Sequence, residues 1–377
     1  MKKILIVNNN MDIGGIQKSL ISLLKATSCE YDITLLLFSK SGTLLKEIPN
    51  NVKIITPNRI YKILGMSKKQ LSKHPFLFSS KAVFIFIAFL FSRRTAMKLL
   101  GLFQKKYKDY DCIISYSHLT NSKKFNNGCG DFVIDKTESD NKICMIHCDY
   151  EKSGFCSEEN NKEYMEFNKI VCCSESVRDK FLKQSKIGDE KVFVLRNFYD
   201  FDIRNLSVVD PYIYDENYIN LLTIARLSIE KGISEFLKNL YNSKRKDIKY
   251  YIIGDGPLKE ILEDLIQKYQ LNDKVYLIGE VENPYRYIKN IDYVVLPSIH
   301  EAAPIVFDEA NLLDIPIIST ETLSAKEMIN NGIIDNDLLK VLKNLKKDFN
   351  KTKSNKMDND ENLTRFKKII GGNNDEK

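Results

Sequence analysis

The chain has 377 residues, 43% of them hydrophobic and 28% charged, with a formal net charge of +7. At about 150 residues per domain this length predicts two domains, and so much apolar material excludes an intrinsically disordered chain. Its eight cysteines show no CxxC spacing of the kind a zinc site uses, so they read as reduced thiols, and Cys144 and Cys148 beside His147 read as strand residues and not as metal ligands.

The chain opens with a strand at 3–8, a polar turn, Gly14-Gly15 and a helix of apolar periodicity at 16–26, the first unit of a parallel sheet. The apolar run Ile4-Leu5-Ile6-Val7 is too short for a secretory signal, which points to a cytoplasmic location. Strands at 32–38 and 52–55 continue the alternation.

A helical insert follows at about 57–108. It lies in a stretch without a single Asp or Glu, between Glu47 and Asp109, in which Lys62, Lys68, Lys69, Lys73, Lys81, Arg93, Arg94, Lys98, Lys105, Lys106 and Lys108 surround the apolar run 82–91. That run carries Phe84, Phe86, Phe89 and Phe91 and is half the length of a bilayer span, about 20 residues. An in-plane contact with anionic lipid is therefore expected, set against the plainer reading of a buried helix with a solvated basic end. Nucleic acid fits less well, because the aromatics form an apolar block instead of alternating with the charges.

Strands at 112–116, 143–147 and 170–173 and a helix at 175–184 complete the first domain, residues 1–199; a polar stretch at 200–216 reads as linker. The pattern then restarts over 217–349, with strands at 219–225, 250–253, 275–278, 293–296 and 317–319 alternating with helices. A doubly wound α/β unit occurs twice. The segment 336–349 reads as a helix, and 350–377 as a polar, frayed tail with a short final helix.

Chemistry concentrates where strands end and helices begin. In the segment 297–310, Glu301 in the loop and Glu309 in the helix bracket a helix start formed by Ala303, Pro304 and Ile305. Such a start offers unpaired N–H groups to a phosphate, and the carboxylates accept from the hydroxyls of a sugar nucleotide. Arg226 and Lys231 sit after the strand 219–225 and suit a diphosphate, the guanidinium by bidentate bonds and the ammonium as a point charge. Gly254 and Gly256 form a third such loop, whose glycines would let the backbone approach a ligand.

These three ordered motifs, with Gly14-Gly15 as a fourth, resemble glycosyltransferase family 4, a large retaining family of the GT-B fold, over most of the chain. The resemblance implies two Rossmann-like domains facing each other across a cleft, a nucleotide-sugar donor, a saccharide acceptor, and no metal or other cofactor. By position it assigns the ribose hydroxyls to Glu309, the transferred sugar to Glu301, the leaving diphosphate to Arg226 and Lys231, close approach of the first loop to Gly15, and a sugar-facing role to His147. The basic, aromatic insert adds the expectation of a lipid-linked acceptor at the inner membrane face, as in bacterial capsule, O-antigen or exopolysaccharide assembly. Two departures stand out: Ala302-Ala303 replace the usual glycine and bulky residue, and the segment after Gly332 reads as short and without a last strand. They support an alternative, a GT-B scaffold subunit partnering another transferase; a sugar-nucleotide epimerase of the same fold is a further one.

Overall fold

The computed structural model describes residues 1–347 and 358–371. The chain forms two compact units, one of residues 1–198 and 359–377, the other of residues 199–358.

The first unit is built on a seven-stranded parallel sheet: β1 (Lys3–Asn8), β2 (Asp32–Leu37), β3 (Lys53–Ile55), β4 (Cys112–Ser115), β5 (Lys142–Ile146), β6 (Lys169–Cys172) and β7 (Val192–Val194). They are ordered β3-β2-β1-β4-β5-β6-β7. The strand runs are apolar throughout because both faces are covered: Ile4, Leu5, Ile6 and Val7 are all buried. The second unit holds β8 (Ile219–Ile224), β9 (Ile248–Ile253), β10 (Val275–Gly279), β11 (Tyr293–Leu296), β12 (Ile317–Ser319) and β13 (Gly332–Ile334), ordered β10-β9-β8-β11-β12-β13 and again parallel. Alternate residues serve opposite faces of this sheet. Leu221, Tyr250 and Ile252 pack with Phe236 and Leu237 on one side. Leu222, Tyr251 and Ile253 pack with Phe307 on the other.

Several expectations are corrected. The polar stretch at 200–216 belongs to the second unit and contains the helix Asp202–Ser207. The second sheet does have a last strand, β13, three residues paired to β12. The predicted helix 336–349 is the shorter Leu338–Asn344, while Phe349 lies outside the described residues.

The final helix, Asp360–Ile370, is no tail: it is part of the first unit, with Phe366, Ile369 and Ile370 buried in its core. Burial of three such side chains contributes about 1.5–3 kcal/mol each. Its C-terminal carbonyls are met by a buried cation, since Lys169 Nζ donates to Ile369 O and Gly371 O at 2.7 Å each, and Asn141 Nδ2 donates to Ile370 O at 3.1 Å. The expected fraying of the last residues concerns 372–377, outside the described ones.

The insert between β3 and β4 forms the helices Lys62–Gly65, Lys68–Leu71, Pro75–Leu90 and Arg93–Leu100. Here the sequence reading of one basic field is corrected. Arg93 is only 1% exposed. It donates to Asp131 at 2.9 Å, to Asn160 Oδ1 at 3.1 Å, to Glu163 and to Thr120 O, which welds the insert to the sheet. Arg94 pairs with Asp135 and Glu166, and Lys106 and Lys108 with Glu138. Lys62, Lys68, Lys69, Lys73, Lys81, Lys98 and Lys105 form no ion pair among the described residues.

Candidate functional site

In an open parallel sheet, ligands are held beyond the carboxyl ends of the strands where the strand order reverses. In the second unit that point lies between β8 and β11, and both loops there carry the charged residues singled out in the sequence.

The β8 loop is fixed first by its neighbour. Leu227 N donates to Asp255 O and Leu258 N to Leu227 O, each at 3.0 Å. A Cβ at Gly254 would stand 2.0 Å from Ala225 O, and one at Gly256 2.4 Å from Leu227 O. These glycines thus give close packing of loop on loop, a demand the sequence reading had placed on a ligand. The chain then turns through Ile229–Lys231 and reaches Gly232, at φ +66, where an added Cβ would fall 1.9 Å from Pro297 O. Ile299 N donates to Glu230 O at 2.8 Å, so the β8 and β11 loops are joined backbone to backbone.

This seam brings two predicted residues together. Lys231 Nζ meets Glu301 Oε1 at 2.5 Å, with the lysine 22% and the glutamate 12% exposed, enclosed enough to hold geometry and open enough to meet a ligand. Ser298 Oγ donates to the same carboxylate oxygen at 2.8 Å, and Thr320 Oγ1 fixes Ser298 O at 2.5 Å. Arg226 is exposed and forms no ion pair among the described residues. Burial opposes ionisation of Glu230, but the Ser228 hydroxyl, a backbone N–H and the charges of Lys231 and Arg226 outweigh it and hold Glu230 below the usual carboxylate range.

The helix Ile305–Leu312 starts after Pro304 with no side chain capping it. Ser324 Oγ donates to Ala302 O and holds the approach to that start, where Ala303, Pro304 and Ile305 are half-buried. Glu309, one turn in, lies on the helix's inner face and is 2% exposed. The structure therefore joins Lys231 to Glu301 directly, keeps Arg226 beside Glu230, and places Glu309 deeper.

In the first unit the strand order reverses between β1 and β4. After β1, Asn10 Nδ2 donates to Gly65 O at 2.7 Å and Asn9 Nδ2 to Asn127 Oδ1 at 3.2 Å, so the insert is tied to this loop. A Cβ on Gly15, the first residue of the helix Gly15–Thr27, would meet nothing within 4 Å. Packing does not require that glycine.

His147 follows β5 with its ring 5.1 Å from that of Tyr116 and its Nε2 enclosed without a hydrogen-bond partner among the described residues. Burial, with a smaller contribution from His118, pulls its pKa down to about 3. The sequence reading missed His118, which follows β4, is 9% exposed, and has an enclosed, unpartnered Nδ1 and a pKa lowered by burial to about 4. The two are neutral at pH 7, when each imidazole offers one donor and one acceptor. The available signal was position: His118 lies just past the end of its strand, as His147 lies just past the end of the next. Among the described residues no three His, Cys, Asp or Glu side chains gather as a metal site would require.

Comparison with known proteins finds matches over part of the chain. Residues 211–368 match the family described as "Glycosyl transferases group 1", so the resemblance read from the sequence holds at that level. Over 139 residues the chain is 31% identical to an uncharacterized glycosyltransferase of Methanocaldococcus jannaschii, covering 35% of this chain and 34% of the relative. It is 25% identical to the capsular polysaccharide biosynthesis glycosyltransferase CapM of Staphylococcus aureus, covering 43% and 46%. The chain spans 34% to 54% of the length of the curated relatives it matches. Among solved structures, Anabaena HepE in complex with UDP-glucose aligns with a TM-score of 0.62 at 16% identity, covering 99% of this chain and 93% of that one. This likeness shows the fold: two Rossmann-like units of the GT-B type.

Proposed function

We propose that this chain, whose residues 211–368 match the family described as "Glycosyl transferases group 1", is a retaining glycosyltransferase of family 4 that moves a hexose from a nucleoside diphosphate sugar to a saccharide acceptor. One observation carries the reading: the Lys231–Glu301 pair, braced by Ser298, stands at the switch point of the second sheet beside exposed Arg226 and an uncapped helix start. A departing diphosphate needs stabilising charge, and two cations with helix-end N–H groups supply it without a divalent metal. In this reading Glu301 orients the transferred sugar, Glu309 takes the ribose, and the loops of Gly254, Gly256 and Gly15 border the donor. His147 is a neutral hydrogen-bonding group toward the sugar. The leaving diphosphate itself helps to deprotonate the incoming hydroxyl, so no protein base is required.

The acceptor in this reading is a lipid-linked saccharide in cell-surface polysaccharide assembly, reached from the cytoplasmic face of the membrane. Support comes from the helix Pro75–Leu90, which leaves Phe78, Phe86, Phe89 and Leu90 exposed amid cations that have no acidic partner. No helix among the described residues is long and apolar enough to cross a membrane, so the contact is peripheral. The scaffold alternative loses one of its two supports, because β13 is present.

The test is release of nucleoside diphosphate from UDP-, GDP- and dTDP-sugars with membrane extract as acceptor. Turnover that survives EDTA is expected. No release from any donor, or loss with EDTA and rescue by Mg²⁺, would refute the enzymatic or the metal-free part respectively. Co-sedimentation with anionic vesicles tests the membrane part, and equal recovery with neutral vesicles counts against it.

A further inference from the structure

The helix Pro75–Leu90 is apolar on nearly every side, yet only Leu77 and Ala88 along it are buried. Ser80, Lys81, Phe84 and Ile87 are half-buried, and Phe84 stacks on Phe125 at 5.4 Å. A helix apolar all round normally sits inside a protein or in lipid, and an exposed apolar patch of this kind marks an interaction surface. At its N-terminal end a pocket of about 370 Å³ is lined by Arg59, Ile60, Lys73, His74, Phe76 and Leu77. Arg59 and Lys73 are exposed cations without an ion pair among the described residues, and Phe76 is 76% exposed beside them. The helix starts at Pro75 with no side-chain cap, which adds the positive end of its dipole.

We infer that this pocket holds the phosphate of an anionic phospholipid while Phe76 and the exposed face of the helix enter the acyl boundary. The inference rests on the membrane reading above and gives that contact a defined headgroup site. Charge selects the occupant. A second copy of this chain would bring its own Arg59, Lys73, Lys68 and Lys69 against the same field, and the stretch between Glu47 and Asp109 holds no acid to answer them. An anionic headgroup supplies the missing sign, and its acyl chains cover the apolar side. The pocket is mostly apolar around two cations, which suits a phosphodiester carrying chains better than a free ion.

The whole chain is tested with vesicles of phosphatidylcholine containing about 30 mol% phosphatidylglycerol, whose negative surface potential attracts basic segments. Two double variants remove equal charge, R59Q/K73Q inside the pocket and K68Q/K69Q beside it. The pocket variant is expected to lose at least about tenfold more affinity than the control, where a diffuse field would weaken both alike. Hydrogen exchange at the amides of 76–78 reads the site directly: protection by monomeric dihexanoyl phosphatidylglycerol is expected, and none by inorganic phosphate at equal concentration. Wild-type binding to anionic vesicles with equal losses in both variants overturns the pocket and leaves the membrane reading standing; no wild-type binding removes both. Equal protection by inorganic phosphate would make this a free-anion site, and a concentration-dependent dimer abolished by F86S/F89S and indifferent to lipid would make it a self-interface. Either result overturns the assignment.

Discussion

Gly232→Ala tests whether the seam between the β8 and β11 loops is what positions the charges. Gly232 has φ +66, a conformation that costs an alanine roughly 1–2 kcal/mol. Its Cβ would also stand 1.9 Å from Pro297 O, whereas real contacts begin near 3.0 Å, so one loop must retreat by about 1.1 Å. Pro297 is buried and lies one residue from Ser298, which braces Glu301, so the movement falls on the Lys231–Glu301 pair. A misplacement of about 1 Å costs on the order of 10² in rate when charges must meet a developing leaving group. Gly279→Ala is the matched control. Gly279 has φ +83 and open space around its Cβ, so it bears the backbone cost without the collision. Urea unfolding should show both variants destabilised, and nucleoside diphosphate release should fall about a hundredfold in Gly232→Ala alone. Equal turnover in the two variants would refute the claim that the seam sets the site.

Lys231→Ala should lower turnover by on the order of 10²–10³ while the protein stays folded, measured by the same product release; an unchanged rate removes the lysine from the site. Lys169→Met strips the cation from the carbonyls of Ile369 and Gly371, and should cost about 2–3 kcal/mol. Hydrogen exchange in Asp360–Ile370 should then accelerate, with Ile219–Ile224 of the other unit unaffected. His118 is held near 4 when folded against about 6.5 unfolded, so the unfolded chain takes the proton first and stability present above pH 6.5 is lost as pH falls toward 4. At pH 5 the loss is about 2 kcal/mol, and His118→Phe should flatten the difference between pH 7.5 and pH 5 by that amount; an unchanged slope would show that the histidine is not buried neutral.

The double winding of both units was legible because parallel strands covered on two faces write continuous apolar runs, such as Ile4 to Val7 and Tyr293 to Leu296. What the sequence hid is short or distant. β7 and β13 are three residues each at sheet edges, too brief to show a period. Arg93 read as an interfacial anchor beside Arg94, since its partners Asp131 and Glu163 lie 38 and 70 residues further on. The final helix read as tail because its carbonyl-capping partner, Lys169, is 200 residues away.

The candidate site shows the same division at finer grain. Residue type and strand-end position picked out Lys231 and Glu301, which the fold joins at 2.5 Å. They also picked out Gly254 and Gly256, whose lack of a side chain is already accounted for by the backbone of Ala225 and Leu227. A glycine explained by packing carries no information about a ligand, whereas Gly15, with open space where its Cβ would be, keeps that question alive. The chemical reading of the second unit therefore stands on its charged side chains and the helix start. In the first unit it stands on Gly15 and two enclosed histidines, and on a β1 loop hydrogen-bonded to the insert through Asn10 and Gly65. That side-chain bond ties the insert to the loop at the sheet's switch point, so under the readings proposed above membrane contact on the insert is expected to couple to acceptor binding.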